Sequence, residues 1–319
     1  MEQLALFLAL GATLSFGTAS LFFRHFSKRA SVLWVNTLKA LVALTLLVPT
    51  LVVLRFWDLG PLSSSWSPPS VNSIQLLLTS GAIGLGVGDL FLLAAFLRLG
   101  VSRTLMLYGF QPLFLALAGF ILFNQALDFK QFFALTTLIA CVVVFSLEAR
   151  SLKLKSPSDA NGRGLGLVFG LIGVSMDSSG VILTRLAFEQ SQSMHSLEAH
   201  WIRCLGALAS YFLLAMAVHF RAALSGKTLA EPVIGLGSHF MRLLPRERIG
   251  VLIGCFLGTY LSLCLYLTAI QVGHLASISA IAITGPMFAA FLECVLERKW
   301  PSRYLMTALA LFIIGFIWL

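Results

Sequence analysis

Ten apolar runs, most of them close to twenty residues long, dominate this chain and restrict the solvent in which it can fold. They cover residues 4–23, 33–54, 74–97, 105–123, 132–147, 165–188, 197–220, 249–270, 276–296 and 304–319. A bilayer core of ~30 Å takes about 20 residues of helix, and within it every backbone N–H and C=O needs a partner inside the protein. The pattern therefore predicts an all-α integral membrane protein with ten transmembrane helices. Composition agrees: 58% apolar and 11% charged residues, with mean hydropathy +0.93, leave too few polar groups to coat a water-soluble domain. The first run is preceded by Glu2 without a basic segment, and reads as a retained helix rather than a signal peptide. Cys141, Cys204, Cys255, Cys264 and Cys294 all fall inside apolar runs without a C-x-x-C pair, as small hydrophobes do.

The formal charge of +9 would in a soluble chain suggest nucleic acid, but no basic helix, finger spacing or soluble domain is present to bind it. The positive residues are instead a topology signal. Most of the 22 lysines and arginines fall in the odd-numbered connections between runs; Arg55 and Lys130 fall in even ones, Arg185 near the end of the sixth run beside an even one, and Lys39 and Arg203 inside runs. Positive residues mark the cytoplasmic side. The expectation is that odd connections face the cytoplasm and both termini face out.

A polar segment, 151–163, containing Pro157, Asp159 and Asn161, divides the runs five and five. The halves resemble each other. GAIGLGVGDLFLLAAFLRLG, from Gly81, aligns with GCFLGTYLSLCLYLTAIQVG, from Gly254, and after a one-residue insertion Pro112 meets Pro286. Trp34 meets Trp201 in a looser match. An odd number of spans per copy makes the second copy enter the membrane with opposite orientation, which predicts two inverted five-helix repeats, residues 1–150 and 164–319.

These residues resemble the drug/metabolite transporter superfamily, and within it the EamA-type ten-helix permeases. The specific stretches are GLGVGDLFLLAAFLRLGVSRTLMLYGFQPLF, from Gly84, and AIAITGPMFAAFLECVLE, from Ala280. The resemblance implies a small-molecule carrier with a central cavity between the halves, many members exporting amino acids or related metabolites. The sequence departs from the family where an arginine often follows the first two spans: Asn36 and Lys39 stand there, and Arg203 takes the matching place in the second half.

Ionisable groups inside spans cost ~2.5–3.5 kcal/mol on insertion scales, so each is a candidate for function. Asp89 and Asp177 are the sharpest, because neither repeats: Asp89 meets Ser262, and Asp177 meets about Phe16. Either could bind a cationic group of the substrate or exchange a proton; a carboxyl hydrogen-bonded to a neighbouring helix is the structural alternative. Lys39 is expected to partner an intramembrane Asp. Arg203, one turn from His200, could bind a carboxylate or phosphate, or reach to the interface. Polar stripes at helical spacing run through Thr104, Tyr108 and Gln111, through Thr259, Ser262 and Tyr266, through Thr13, Gly17 and Ser20, and through Ser277 and Thr284. Single hydroxyls of this kind more often join helices; Tyr108, Gln111 and Tyr266 are large enough to touch a substrate. The candidate substrate-binding set is thus Tyr108, Gln111, Asp177, Tyr266, Asn36 and Arg203, with Asp89, Asp177 and Lys39 for proton or charge coupling.

The glycine strings around Gly84–Gly88 and Gly164–Gly166 lack the strand and the G-K-[ST] of a nucleotide loop, and suit close packing or a hinge. No catalytic triad order or metal-ligand spacing is visible, so neither cofactor nor metal is expected. The function expected is a secondary transporter, most simply an exporter, of small polar metabolites such as amino acids, in a multi-pass cell (inner) membrane location, as monomer or homodimer. The alternatives are an intramembrane enzyme, which would need reactive groups clustered at one membrane face, and a non-transporting membrane subunit.

Overall fold

The computed structural model describes residues 2–26, 31–56, 69–99, 104, 107–152, 160–191, 193–224, 240–241, 243–296 and 298–319. All regular structure among these is helical. In chain order the helices are α1 (Glu2–Phe26), α2 (Val32–Phe56), α3 (Val71–Ser80), a first π-helical stretch (Gly81–Gly88), α4 (Asp89–Leu99), α5 (Gln111–Phe123), α6 (Phe129–Leu152), α7 (Ala160–Gln190) and α8 (Ser196–Leu224). Then come α9 (Pro245–Cys255), a second π-helical stretch (Phe256–Leu261), α10 (Ser262–Val272), α11 (Leu275–Ala282), α12 (Gly285–Leu296) and α13 (Arg303–Trp318). Much of 151–163 and of the connection after α8 lies outside the described residues.

Among the described residues, six helical stretches are long and apolar enough to cross a bilayer: Glu2–Ala19, Leu33–Leu54, Val71–Leu92, Gly164–Gln190, Ser196–Arg221 and Pro245–Val272. Gln111–Phe123, Phe129–Val144 and Arg303–Trp318 are apolar but shorter. The expected fourth and ninth runs are not continuous α-helices. Each breaks just ahead of its proline, at Gly109–Phe110 and at Ile283–Thr284, because proline lacks the N–H and its ring crowds the preceding turn. The two breaks occupy matching positions of the two halves. So do the π-helical stretches, which begin at Gly81 and two residues after its counterpart Gly254. Pro49, by contrast, is carried inside α2.

Ends of helices use local chemistry. The Ser70 hydroxyl accepts from the Ser73 N–H, and the Ser302 hydroxyl from the Leu305 N–H, both at 3.1 Å. At the start of α6 Asp128 and Gln131 exchange side-chain to backbone bonds of 2.7 and 3.2 Å, a capping box. Asn124, at φ 52°, closes α5 in the left-handed conformation.

The outward faces are apolar. Phe120, Ile121, Phe212 and Ile317 are all more than half exposed, an arrangement that would aggregate in water and that hydrocarbon solvates. Inside, α6 packs chiefly on α13; α3, the first π stretch and α4 pack on α7, while α9, the second π stretch and α10 pack on α1. The first π stretch also meets α8, and the second meets α2; α5 meets α7, and its counterpart α12 meets α1. Exchanging the halves turns the α6–α13 pairing into itself and each of the others into its counterpart.

Hydroxyls do the joining. Ser80 donates to the Gly180 carbonyl at 2.6 Å and shares a 2.8 Å bond with Thr184; Ser73 and Ser191 are 2.9 Å apart; Ser262 donates to the Ala12 carbonyl at 3.0 Å. For Ser262 the polar stripe is therefore interhelical bonding.

Candidate functional site

The glycine string of the first π stretch brings three helices into backbone contact. A Cβ at Gly84 would lie 3.4 Å from the Gly180 Cα, and Gly88 faces Met176 and the Asp177 backbone. On the other side Gly81 abuts the Arg203 carbonyl, and Gly206 of α8 abuts that of Leu78. Close approach of this kind needs residues without side chains. Its consequence is that Asp89 at the head of α4, Asp177 in the middle of α7 and Arg203 in α8 are held within one region.

Each π stretch is also pinned by a side chain of α8. A π turn widens the backbone ladder, and a neighbouring side chain can bond the carbonyl it presents. The Tyr211 hydroxyl donates to the Leu85 carbonyl at 2.5 Å, and His200 Nε2 donates to the Thr259 carbonyl at 2.8 Å. Neither contact is anticipated above. The available signal was a Tyr and a His inside an apolar run, where polar groups find partners on neighbouring helices.

Two groups of polar residues result. In the first, Lys39 Nζ lies 3.4 Å from Asp89 Oδ2 and donates to Asn36 Oδ1 at 3.1 Å. The expected partnership of Lys39 with an intramembrane Asp is thus to Asp89, and joins α2 to α4. The Asn36 amide nitrogen is buried without a hydrogen-bond partner among the described residues. In the second group Gln111, the first residue of α5 after the Gly109–Phe110 break, donates from Nε2 to Asp177 Oδ2 at 2.8 Å.

Arg203 joins this second group without closing it. Its side chain is 2% exposed, which removes the reading that it reaches to the interface. Nε and Nη1 have no hydrogen-bond partner among the described residues. Asp177 lies within electrostatic reach of Asp89, Arg203, Tyr108 and Tyr266. The six candidate substrate-binding residues, from α2, both sides of the break before α5, α7, α8 and α10, therefore fall in one neighbourhood with the Lys39–Asp89 pair.

Among other polar residues, His274 occupies the position before α11, and its side chain makes no capping bond. The Thr13 hydroxyl bonds the Ala9 carbonyl of its own helix at 2.7 Å and the Ile281 carbonyl of α11 at 3.4 Å, and Thr284, in the break, donates to the same Ile281 carbonyl at 2.6 Å. The Glu293 and Glu297 side chains lie outside the described residues. Among the described residues no group of three His, Cys, Asp or Glu side chains is placed to hold a metal. Among the described residues two surface grooves, of about 380 and 370 Å³, are lined by residues such as Gln75 and Thr79 or Leu117 and Phe120, and neither is lined by a site residue.

Residues 3–147 match the model of the EamA-like transporter family, part of the drug/metabolite transporter superfamily. The family is one of multi-pass membrane transporters, which agrees with the apolar helices described above. Across its whole length the chain is also similar to a solved structure described only as "Crystal structure of protein", with a TM-score of 0.72 and 13% identity, covering 100% of this chain and 96% of the other. That likeness is one of fold. No curated protein matches the sequence.

Proposed function

We propose that the chain is a secondary carrier that exports small polar metabolites such as amino acids across the cell (inner) membrane by alternating access. The halves 1–150 and 164–319, joined by 151–163, act as two inverted five-helix units rocking about the site. The matched proline breaks, the matched π stretches and the exchangeable helix pairings support the repeat. The observation that carries the reading is the buried Arg203, whose Nε and Nη1 have no hydrogen-bond partner among the described residues, in the field of the Asp177 that Gln111 bonds. Polar groups left incomplete inside an apolar scaffold are expensive unless a ligand completes them. Asp89, Asp177 and Lys39 are the groups through which protons or charge would couple to movement.

The test is counterflow in proteoliposomes with an amino-acid and metabolite panel, with and without a pH gradient. At least one member is expected to move, and Asp177→Asn to lower its rate about tenfold or more, the loss set by a charge-assisted hydrogen bond of ~1.5–3 kcal/mol. If no member moves, or the variant transports at the unaltered rate, the assignment is wrong. Orientation has its own check. A reporter active solely in the cytoplasm, fused after Leu319, is expected to stay dark, and a bright fusion would reverse the proposed sidedness.

A further inference from the structure

α5 and α11 are the halves of the two broken runs that lie toward the membrane face of the even-numbered connections, and they pack on each other. α5 runs outward from the Gly109–Phe110 break, where Gln111 meets Asp177, to Phe123; α11 runs inward from Leu275 to the break at Ile283–Thr284. The pair stands between the site and that face.

One side chain holds the outer ends of both. Arg185, near the end of α7, donates from Nη1 to the Ile270 carbonyl at 2.5 Å and to the Gln271 carbonyl at 2.8 Å. Those carbonyls belong to the last turn of α10, where the main chain has no acceptor partner of its own and the helix dipole is negative. The link Gly273–His274 leads from there to α11. The guanidinium carbon also stands 5.9 Å from the centre of the Phe123 ring at the end of α5, within cation–π range. Glu189, one turn along α7, holds Nη2 at 3.1 Å and aims the group. Two more bonds cross the same layer: the Leu275 N–H donates to Gln125 Oε1 at 3.2 Å, and Gln271 Nε2 to the Met194 carbonyl at 2.8 Å.

This joint differs in kind from those around the glycine string. There α7 is fixed by backbone contacts and by the fully buried Ser80, bonded to Gly180 and Thr184, with no long side chain that could let go. The Arg185 joint is made near a membrane face by the tips of long side chains, with Arg185 14% and Glu189 49% exposed. Water can take over such bonds when the helices part, so little is lost in breaking them. Arg185 Nε has no hydrogen-bond partner among the described residues even in the closed arrangement. A carrier that opens one end at a time needs a contact of this kind, firm enough to close that end and cheap enough to release.

We propose that Arg185 is the bolt of a gate: it holds α5 and α11 together at the face of the even-numbered connections, and its release from the α10 carbonyls lets these half-helices swing about their proline breaks and opens the site to that side. This rests on the transport reading above and adds to it a positioning residue that touches no cargo.

The test reads the gate directly, in the full chain in lipid nanodiscs. Spin labels are placed on Gln3→Cys, at the start of α1, which packs on α10 and α11, and on Gln190→Cys, at the end of α7; both positions are exposed. The chain without added cysteines supplies the background. One short distance is expected in the otherwise unaltered chain, and a distribution moved mostly to distances several ångströms longer in Arg185→Gln, which loses the cation and its fork. Arg185→Lys keeps the charge without the fork and is expected to fall between the two. For any panel member that moves in counterflow, Arg185→Gln is expected to lower the maximal rate about tenfold, the scale of one lost charge-assisted hydrogen bond, and to leave KM within about twofold, since the binding groups are untouched. A folded Arg185→Gln protein that keeps the parental distance, or differs from the parent in melting temperature alone, overturns the proposal. Where that variant fails to fold, Gln271→Leu decides: it removes the bond to Met194 while keeping the carbonyls that Arg185 uses, and the parental distance in it overturns the proposal equally. The distance measurement needs no cargo, so widening without counterflow of any panel member leaves the gate standing and removes the carrier reading. Counterflow at the parental rate with an unwidened gate does the reverse.

Discussion

An alanine at Gly81 is expected to leave almost no folded protein to assay. Its Cβ would stand 1.9 Å from the Arg203 carbonyl oxygen, 2.6 Å from the carbonyl carbon and 2.8 Å from Cα. All three are backbone atoms of a helix, so no rotamer change relieves the contact. The helices would have to separate, breaking the matching contact of Gly206 with the Leu78 carbonyl, where a Cβ would lie at 2.1 Å. Overpacking of a core costs roughly 1–3 kcal/mol when side chains can yield, and this site belongs at or above the top of that range because they cannot. Gly164→Ala is the control: nothing lies within 4 Å of its added carbon. Size-exclusion profiles and melting temperatures of the two purified variants provide the check. A monodisperse Gly81→Ala protein with unaltered melting temperature would show that the first π stretch and α8 are not in backbone contact.

The same contact explains what sequence reading could reach. Apolar runs reveal a helical, membrane-crossing chain, because bilayer length acts locally, and a proline pair at matching places suggests a repeat; the two helix breaks ahead of those prolines were not read from them. The string Gly81–Gly88 suggests a hinge or close packing, and it is both a π-helical stretch and the surface against which α7 and α8 lie. Which polar residue meets which is a property of helix rotation and depth, and no local signal encodes that. Arg203 illustrates the limit. Its side chain could equally have reached the interface, and the decisive fact is that Gly81 and Gly84 lie against it and bury it. Gln111 reached Asp177 through the break at Gly109–Phe110, which sets the first turn of α5. Tyr211 and His200 were invisible as a pair because their acceptors are main-chain carbonyls.

Neutralising Lys39 and Asp89 together is expected to restore folding that the first change impairs, and still to abolish transport. Lys39→Met alone leaves the Asp89 carboxylate, 25% exposed, facing the negative field of Asp177 without its counter-ion. The expected loss is about 1–3 kcal/mol, below the ~3–5 kcal/mol of a fully buried pair because both side chains are partly exposed. Adding Asp89→Asn removes the stranded charge, and the double variant should melt within a few degrees of the parent, a coupling that the double-mutant cycle reads directly. Stability and transport then separate two roles. A pair that merely joins α2 to α4 can be replaced by uncharged residues with transport intact. A pair that opens and closes as the halves rock cannot, because its charges are what the moving site exchanges with cargo or proton. Counterflow by the double variant at the parental rate, with the parental response to a pH gradient, would reduce Lys39–Asp89 to a structural clasp and leave Asp177 alone to carry any coupling.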